Sequence, residues 1–379
     1  MPDAFSAVRL AVRRGLAGLG LTSDDVMLVG CSGGADSLAL AAAAVREARQ
    51  VGKSTRNPGF AVRVGAVVVD HGMQDGSAEV AEAAAQHCRD LGIDPVLVRR
   101  VTVAGGGEGD ARDARYAALD EVAQELDAKA VLLGHTLDDQ AEQVILGLAR
   151  GSGARSLAGI PPTRGIYLRP LLGITRAQTE AACTELSLHP WDDPTNADID
   201  AGAPLRNQIR GHIMPLLKDL LGPTITANLA RSADLLRDDA DYLESQAYGL
   251  LSRAVTASQS SEPQGRSGRF CEETRGAQRS AATNVSAVSA QNLPRKAAQV
   301  VLDVTVLKEA HQAVRRRALR MTAIAVGAPS GSMTSRHVAA IDALVTTYIG
   351  QERTFLPSGA TVHREHGTIV FASNPLCKE

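Results

Sequence analysis

Four short apolar runs alternate with longer amphipathic segments between residue 26 and about residue 150. The runs are VMLVG (26–30), VGAVVVD (64–70), PVLVRRVTV (95–103) and AVLLG (130–134), each followed by an alanine-rich segment of helical periodicity. Continuous apolar runs of this length are typical of buried parallel strands, and the intervening helices then cover both faces of the sheet. The pattern predicts an α/β fold, in which a Rossmann-like parallel sheet is sandwiched by helices.

The alternation of strands and helices ends past Pro161, where mostly helical periodicity takes over. The segment from Arg206 to Leu251 predicts two helices interrupted near Gly222 and Pro223. Two further helices are predicted at about 306–326 and 335–349.

These patterns predict a catalytic domain at residues 1–215 and a smaller, mostly helical domain at residues 216–379. The segment at about 256–296 is rich in Ser, Gly, Gln and Arg without apolar periodicity, so we expect a disordered insertion there. The C-terminal segment RTFLPSGATVHREHGTIVFA predicts a β-hairpin.

The amino-acid composition limits the class of protein but does not indicate its chemistry. The chain has 379 residues, of which 44% are hydrophobic and 22% charged, as in soluble proteins of about two domains. No run approaches the roughly 18 apolar residues of a membrane span. The five cysteines are scattered, which favours neither a disulfide framework nor a zinc or iron–sulfur site. We therefore expect a cytoplasmic protein.

The net charge of −2 argues against a protein that coats nucleic acid through a global basic field, but positive charge is clustered locally. No Asp or Glu lies between Gln143 and Thr179. The three basic clusters are Arg150, Arg155, Arg164, Arg169 and Arg176; Arg206, Arg210, His212 and Lys218; and Arg315, Arg316, Arg317 and Arg320. Each is either an RNA-backbone contact or an ordinary solvated face.

The first strand leads through a turn of small residues into a helix. Glycines let backbone N–H groups approach an anion, two serines add hydroxyl groups, and the helix N-terminus adds partial positive charge. The turn therefore predicts a phosphate-binding loop. Its residues are Cys31, Ser32, Gly33, Gly34, Ala35, Asp36 and Ser37.

Three other interpretations compete for this turn. A Walker loop requires a lysine that is absent. The segment from Gly30 to Gly34 also fits G-x-S-x-G, the nucleophile elbow of α/β-hydrolases, with Ser32 as nucleophile. That elbow normally follows several strands, whereas a single helical segment precedes it in this chain. A glycine turn that serves only packing would leave Asp36 and the two serines unexplained.

The segment SGGADS (32–37) resembles the SGGxDS loop of the N-type ATP pyrophosphatases, the PP-loop superfamily, which cleave ATP between its α and β phosphates. The resemblance implies an adenine-nucleotide α-hydrolase-like fold and ATP bound at residues 31–37. After the second strand, Asp70-His71-Gly72 is similar to the DHG segment of this superfamily, with Met73-Gln74 in place of Leu-Arg. His71 is thus expected to contact the nucleotide, although a turn histidine bonded to the backbone is the alternative.

Two further segments supply the expected catalytic groups. ARDARY (111–116) resembles the AR-x-x-RY segment of the family, which assigns Arg112 and Arg115 to the phosphates; paired surface arginines are the alternative. GHTLDDQAE (134–142) resembles GHHxDDQxET, with Thr136 replacing the second His. This implies that Gly134 and His135 bind nucleotide. The Mg²⁺ ligands expected are Asp36, Asp139 and Glu142, unless acids in the first helical turn serve only the helix dipole.

The remaining segments resemble one branch, the tRNA(Ile)-lysidine synthetases. They are GSGAR with LAGIP (151–161), RPLL (169–172), DPTN (193–196) and RNQIR (206–210). The resemblance implies a ligase that forms a carbon–nitrogen bond, with ATP and Mg²⁺ as cofactors and Asp36, Arg112, Arg115 and Asp139 as catalytic residues. The partners expected are a tRNA(Ile) with a CAU anticodon, L-lysine and, as an open question, a second copy of the chain. A tRNA thiolase, a Ser32 hydrolase and a tRNA-binding module without ATPase activity stay as alternatives.

Overall fold

The structure is a computed structural model. It describes residues 3–50, 62–72, 76–102, 108–151, 153–192, 203–260 and 297–374. The chain forms two units, Met1–Arg237 and Asp238–Glu379. The division falls inside a long helix, about 20 residues later than the position expected from the sequence. Met73-Gln74, the DPTN segment and residues 261–296 of the expected insertion lie outside the described residues.

Unit 1 contains a six-stranded sheet of order β3-β2-β1-β4-β6-β5. Every neighbouring pair is parallel except β5 with β6, which is antiparallel. The predicted parallel sheet is therefore confirmed, and all four predicted strands are present. The strands are β1 Val26–Cys31, β2 Arg63–Asp70, β3 Val96–Arg100, β4 Ala128–Leu133, β5 Thr163–Arg164 and β6 Tyr167–Leu168.

Helices connect these strands and continue beyond them. They are α1 Ala4–Leu16, α2 Ala35–Ala48, α3 Ser77–Asp90, α4 Glu108–Glu125, α5 Leu137–Ala149, α6 Ala154–Leu157, α7 Arg176–Glu185, α8 Leu205–Gln208, α9 Met214–Leu221 and α10 Ile225–Ala254. A 3-10 turn, Pro170–Gly173, precedes α7, and a π-helical turn, Ile209–Ile213, joins α8 to α9. The break between α9 and α10 falls at the predicted Gly222 and Pro223.

Burial explains why the first helix after β1 is so rich in alanine. Eleven of the 14 residues of α2 are buried, because α2 is enclosed by the sheet and by its helical neighbours. Small side chains let such neighbours approach closely. The buried carboxylate of Glu47 in α2 accepts hydrogen bonds from Arg9 and Arg13 of α1, which ties the N-terminal helix to the domain.

The order of the strands determines where ligands can bind. β1 pairs with β2 on one side and with β4 on the other, so the chain reverses its direction of winding between β1 and β4. At such a reversal the loops after the two strands diverge and leave a crevice at the carboxyl edge of the sheet. The loop after β1 begins α2 and the loop after β4 begins α5. The crevice therefore gathers the segments that the sequence singled out.

Unit 2 combines helices with a five-stranded antiparallel sheet of order β7-β8-β11-β10-β9. Its helices are α11 Val304–Glu309, α12 Gln312–Ala325 and α13 Ser335–Thr346. Its strands are β7 Val255–Ser260, β8 Ala297–Asp303, β9 Thr354–Phe355, β10 Thr361–Glu365 and β11 Thr368–Ala372. The predicted C-terminal hairpin is β10 with β11, and its strands pair with β9 and β8 as well.

Two expectations for unit 2 need correction. Residues 256–260, assigned to a disordered insertion, lie in β7 and pair with β8, because β8 supplies the partner that the sequence pattern could not reveal. Arg315, expected in a basic surface cluster, is buried, and its guanidinium donates to Asp342 at 2.6 Å. Within the described segments, no helix is long and apolar enough to cross a membrane.

Candidate active site

The turn after β1 is shaped by its own hydrogen bonds. Gly33 has a φ of 83°, a value that favours glycine, and an added Cβ would lie 3.0 Å from Ala84 Cβ. The hydroxyl of Ser37 donates to the Gly34 carbonyl at 2.9 Å and accepts from the Ser32 backbone N–H at 3.2 Å. The Ser37 hydroxyl thus fixes the loop. The predicted donation from Ser37 to phosphate is replaced by this internal bond.

The N-terminus of α2 completes the loop. Gly34 is its N-cap and has no side chain to satisfy the N–H groups of the first turn. Of these N–H groups, that of Ser37 donates to the Gly34 carbonyl at 3.1 Å, whereas those of Ala35 and Asp36 have no acceptor within the helix, and the helix dipole adds partial positive charge. Ser32 is exposed beside them. The turn therefore offers uncapped amide donors and the exposed Ser32 hydroxyl, which suits an anion.

A cleft of about 490 Å³ opens at this turn. It is lined by residues from the β1 and β4 loops, from α4 and α7, and from the segments around residues 191 and 208. The lining residues are Gly30, Ser32, Gly34, Ala35, Asp36, Ser37, Arg115, Gly134, His135, Asp139, Arg176, Glu180, Pro190, Trp191, Asp192, Arg206 and Arg210. Nine of the residues predicted for the site are thus brought together in one cavity.

The two loops touch at Gly134. A Cβ on this residue would lie 3.1 Å from the backbone carbonyl atoms of Asp36 and 3.2 Å from the backbone nitrogen of Ser37. These neighbours are main-chain atoms, which cannot turn aside as a flexible side chain does. Gly134 therefore allows the close approach that places Asp36 and Asp139 in the same cleft.

One carboxylate oxygen of Asp139 caps α5, and the other lies near two arginines of the cleft. Its Oδ2 accepts from the Thr136 backbone N–H at 2.7 Å and from the Thr136 hydroxyl at 2.9 Å, which forms the capping box of α5. Its Oδ1 lies 3.4 Å from Arg176 Nη2 and 3.5 Å from Arg210 Nη2. Burial raises the pKa of this carboxyl, but the Arg176 guanidinium and the Thr136 N–H outweigh burial, so its pKa lies below the ordinary value.

The two carboxylate oxygens of Asp36 also have different partners. Its Oδ1 accepts from the hydroxyl of Thr179 in α7, and its Oδ2 lies 3.5 Å from Arg176 Nε. Burial raises the pKa of Asp36, and the nearby charge of Asp139 raises it further, against the opposing effects of Thr179 and Arg176. Each aspartate thus has one oxygen held by a hydroxyl group and the other facing the same guanidinium.

Glu142 has a different setting from the one expected of a metal ligand. Its side chain is 2% exposed, and Arg210 donates to both of its oxygens, Nε to Oε1 at 2.8 Å and Nη2 to Oε2 at 3.0 Å. Arg176 and Arg206 approach within 3.8 and 3.7 Å. Among the described residues, no three His, Cys, Asp or Glu side chains form a group able to hold a metal ion. We therefore keep Asp36 and Asp139 as candidate ligands and assign Glu142 to the arginines.

The two predicted histidines each have a buried nitrogen without a partner. The Nδ1 atoms of His71 and His135 make no hydrogen bond in the described part of the chain. Burial lowers the pKa of His71, and it lowers the pKa of His135 to about 3, so both rings are neutral at pH 7. A neutral imidazole nitrogen left unpaired in a buried position is suited to a ligand's polar group. His135 lines the cleft, whereas His71 lies outside its lining.

Of four other predicted residues, one lines the cleft and three lie outside its lining. Arg115 lines the cleft, whereas Arg112 is exposed and stacks on the Tyr116 ring at 5.2 Å, outside the lining. The two arginines share a helix, but only Arg115 faces the expected phosphate position. Cys31 is buried behind the loop, with its sulfur 3.6 Å from Ser37 Oγ, and Gly33 is buried against α3. Cys31 and Gly33 therefore support the loop from behind.

The five arginines of the expected basic run from Arg150 to Arg176 lie in three different settings. Arg150, Arg155 and Arg164 are exposed. Arg169 is buried and donates to the Pro161 carbonyl and the Tyr116 hydroxyl, both at 2.9 Å. Arg176 points into the cleft. Of the five arginines, only Arg150, Arg155 and Arg164 therefore lie at the exposed surface.

Sequence reasoning missed several residues of the cleft. Arg176 was counted only in a basic cluster, Arg206 and Arg210 were placed in a basic cluster and in the RNQIR segment without a role in the cleft, and the single tryptophan, Trp191, was not considered. The backbone N–H of Trp191 donates to the Gly33 carbonyl at 3.0 Å, so the segment before residue 193 is attached to the loop. The three arginines could have been suspected because they lie in the region from the RPLL segment to the RNQIR segment. Their acidic partners Asp36, Asp139 and Glu142 lie 34 to 140 residues earlier in the chain.

The arrangement suits a nucleotide with a magnesium ion. Loop amides, Ser32 and Arg115 are phosphate donors, and the unpaired His135 nitrogen supplies a further polar group. Mg²⁺ is commonly held by one or two carboxylates together with substrate phosphates and water, rather than by a complete protein cage. Asp36 Oδ2 and Asp139 Oδ1 match that requirement. The same cleft does not resemble a hydrolase site, because Ser32 Oγ has Ser37 Oγ at 3.3 Å as its partner and no histidine bonds to it among the described residues.

Comparison with known proteins gives a consistent result. Residues 11–217 match the family model described as a PP-loop domain. A tRNA(Ile)-lysidine synthase from Thermobifida fusca is 42% identical over 98% of this chain and 99% of the relative. Proteins with the same name from Streptomyces coelicolor and Leifsonia xyli are 40% and 42% identical over 93% and 91% of this chain, covering 86% and 89% of those relatives.

Proposed function

The chain belongs to the tRNA(Ile)-lysidine synthase family and contains a PP-loop domain, and from this premise we propose a specific reaction. In it, L-lysine is ligated to the wobble cytidine of a tRNA(Ile) with a CAU anticodon at the expense of ATP. The observation that carries the proposal is one cleft in which an uncapped helix N-terminus meets two convergent aspartates.

The reaction has two steps. The cytosine O2 attacks the α-phosphorus of ATP, the bond from that phosphorus to the β-phosphate oxygen breaks, and pyrophosphate leaves. The ε-amine of lysine then attacks C2 of the adenylated cytosine, the C2–O2 bond breaks, and AMP leaves with the oxygen while the amine loses a proton. The products are lysidine in the tRNA, AMP and pyrophosphate.

The protein's own groups bind the phosphates and offset the charge that develops on them. The start of α2, Ser32 and Arg115 all line the cleft. Preorganised donors of this kind act most strongly in a site that excludes water, because they need no reorganisation as charge moves. Neutral His135 is suited to orienting the nucleotide without adding charge.

The Oδ2 atom of Asp36 and the Oδ1 atom of Asp139 would hold Mg²⁺. Bound there, Mg²⁺ supplies positive charge next to the phosphates and favours departure of pyrophosphate. Thr179 and Thr136 fix the remaining oxygen of each aspartate, so the ligand atoms keep their direction.

Recognition of the tRNA is assigned to surfaces outside the cleft. We propose that Arg150, Arg155 and Arg164, together with residues after about 216, contact the sugar–phosphate backbone. These contacts position the tRNA and contribute a salt-dependent affinity. We also propose that the enzyme is cytoplasmic. A mass measurement in solution would show whether it forms a homodimer.

The proposal is tested by incubating the protein with ATP, Mg²⁺, radiolabelled lysine and a tRNA(Ile) transcript with a CAU anticodon. Label in the tRNA, with one pyrophosphate released per lysine, is the expected result. A transcript with a GAU anticodon is the matched control and should stay unlabelled, because it has no cytosine at the wobble position. Hydrolysis of ester substrates that is lost in Ser32→Ala, without labelling, would instead establish the hydrolase alternative.

A further inference from the structure

Arg176 lies where the two candidate metal ligands converge. Its Nε is 3.5 Å from Asp36 Oδ2 and its Nη2 is 3.4 Å from Asp139 Oδ1, which are the two oxygens left over after the threonines bind the other two. The guanidinium therefore supplies the positive charge that these oxygens would otherwise take from a cation.

The contacts of Arg176 are loose compared with those of its neighbour. Arg210 binds Glu142 through two bonds of 2.8 and 3.0 Å, which fix its fork. Arg176 reaches three carboxylates at 3.4 to 3.8 Å, and its side chain is 25% exposed. Charge-assisted hydrogen bonds are normally 2.7 to 2.9 Å long, so Arg176 is attracted to all three acids and bonded closely to none.

The backbone at Arg176 is held more firmly than its side chain. The Arg176 N–H donates to Asp138 Oδ2 at 2.8 Å, and α7 begins there with a capping box formed by Thr175 and Gln178. A long side chain on a fixed helix start can change its rotamer while α7 stays in place. The geometry thus combines an anchored main chain with a guanidinium that is able to leave the two aspartates.

We propose that Arg176 is an exchangeable internal cation, which neutralises Asp36 and Asp139 until a divalent ion arrives with the nucleotide and then turns to the nucleotide's phosphates. This inference rests on the proposed function, because it takes the two aspartates as metal ligands. It explains how two ionised groups are kept close in the unliganded cleft. It also makes metal binding depend on the nucleotide, since phosphates must attract the guanidinium away.

Binding of Mn²⁺ alone, followed by electron paramagnetic resonance without nucleotide, tests the inference. Arg176→Gln removes the internal cation, so we expect Mn²⁺ to bind at least tenfold more tightly than to the wild type. Arg176→Lys keeps a positive charge and should return the affinity to within about threefold of the wild type. Arg206→Gln is the matched control, because Arg206 contacts Glu142 and Gln143 rather than the two aspartates, and it should leave Mn²⁺ affinity within about twofold.

Two further measurements locate the effect. Adding Asp139→Asn to Arg176→Gln should abolish the gain in Mn²⁺ affinity, which places the ion at the aspartates. Adding ATP should raise Mn²⁺ affinity at least tenfold in the wild type and less in Arg176→Gln, whose site already lacks the competing cation. Unchanged thermal unfolding of Arg176→Gln shows that the variant is folded.

The outcomes separate this inference from the proposed function. Wild-type protein that labels tRNA with lysine, combined with an Arg176→Gln variant that binds Mn²⁺ no more tightly than the wild type, would overturn the role of Arg176 alone. A failure of the wild type to label tRNA would overturn the proposed function, whatever the manganese affinities show.

Discussion

The ion pair between Arg210 and Glu142 is the most directly measurable part of the cleft. Glu142 is buried, and both of its oxygens accept from the Arg210 fork. Replacing Arg210 with methionine removes the guanidinium and keeps much of the side-chain bulk. Glu142 then depends on Arg176 at 3.8 Å and Arg206 at 3.7 Å.

The size of the effect follows from these distances. With an effective dielectric constant of about 20, a charge pair near 3 Å has a gross attraction of about 5 kcal/mol, and one near 3.8 Å about 4 kcal/mol. Removing one partner of a buried pair usually costs about 3–5 kcal/mol, because a buried charge is left uncompensated. Two guanidiniums remain near Glu142, so we expect a loss of about 2 kcal/mol.

Thermal unfolding followed by circular dichroism measures this loss. A domain of about 150–250 residues loses roughly 2–4 °C in Tm per kcal/mol, so Arg210→Met should unfold about 4–8 °C lower. Glu142→Gln and the double variant complete a double-mutant cycle, in which we expect a coupling of about 1 kcal/mol or more. A Tm change below about 1 °C, or additive effects in the cycle, would refute the buried-pair account of Glu142.

Three other predictions follow from single side chains. Asp36→Asn should abolish pyrophosphate release yet raise Tm at pH 8, because burial raises the pKa of Asp36 and its ionised form destabilises the fold. The gain in Tm should shrink as unfolding is measured at lower pH, where Asp36 becomes protonated. A gain that stays constant with pH would contradict this. Asp342→Asn should lower the calorimetric unfolding temperature, at a cost of about 3–5 kcal/mol, by leaving buried Arg315 unpaired; an unchanged unfolding temperature would exclude a structural role for the pair. Arg164→Ala should weaken filter-measured binding of every tRNA and reduce the salt slope by about one. Arg89→Ala, at an α3 arginine paired with Glu82, should not; equal slopes would remove Arg164 from the tRNA surface.

The sequence predicted the sheet because its strands are continuous apolar runs separated by helical periodicity. It also predicted the loop after β1, since glycines between a strand and a helix have few structural alternatives. Asp36 and Asp139 were expected as metal ligands because their segments, at the ends of two predicted strands, resemble the SGGxDS and GHHxDDQxET segments of the family. That β1 and β4 are neighbours, and so bring these aspartates together, required the topology of the sheet.

Side-chain direction was the part that local patterns could not supply. Arg112 and Arg115 are three residues apart on one helix, yet only Arg115 reaches the cleft, because Arg112 finds the Tyr116 ring instead. Glu142 was expected to bind metal from its spacing to Asp139, but its partner Arg210 lies 68 residues away in sequence. Likewise β7 was invisible, since its pairing partner β8 begins at Ala297. For Glu142 and for β7, partners distant in sequence decided the outcome.

The central claim is that one cleft holds the nucleotide between the loop after β1 and the aspartates of α2 and α5. A crystal structure with Mg²⁺ and a non-hydrolysable ATP analogue tests it most directly. The account predicts phosphate oxygens on the N–H groups of residues 33–36 and the metal between Asp36 Oδ2 and Asp139 Oδ1. Phosphates bound elsewhere, or aspartates turned away from the metal, would contradict it.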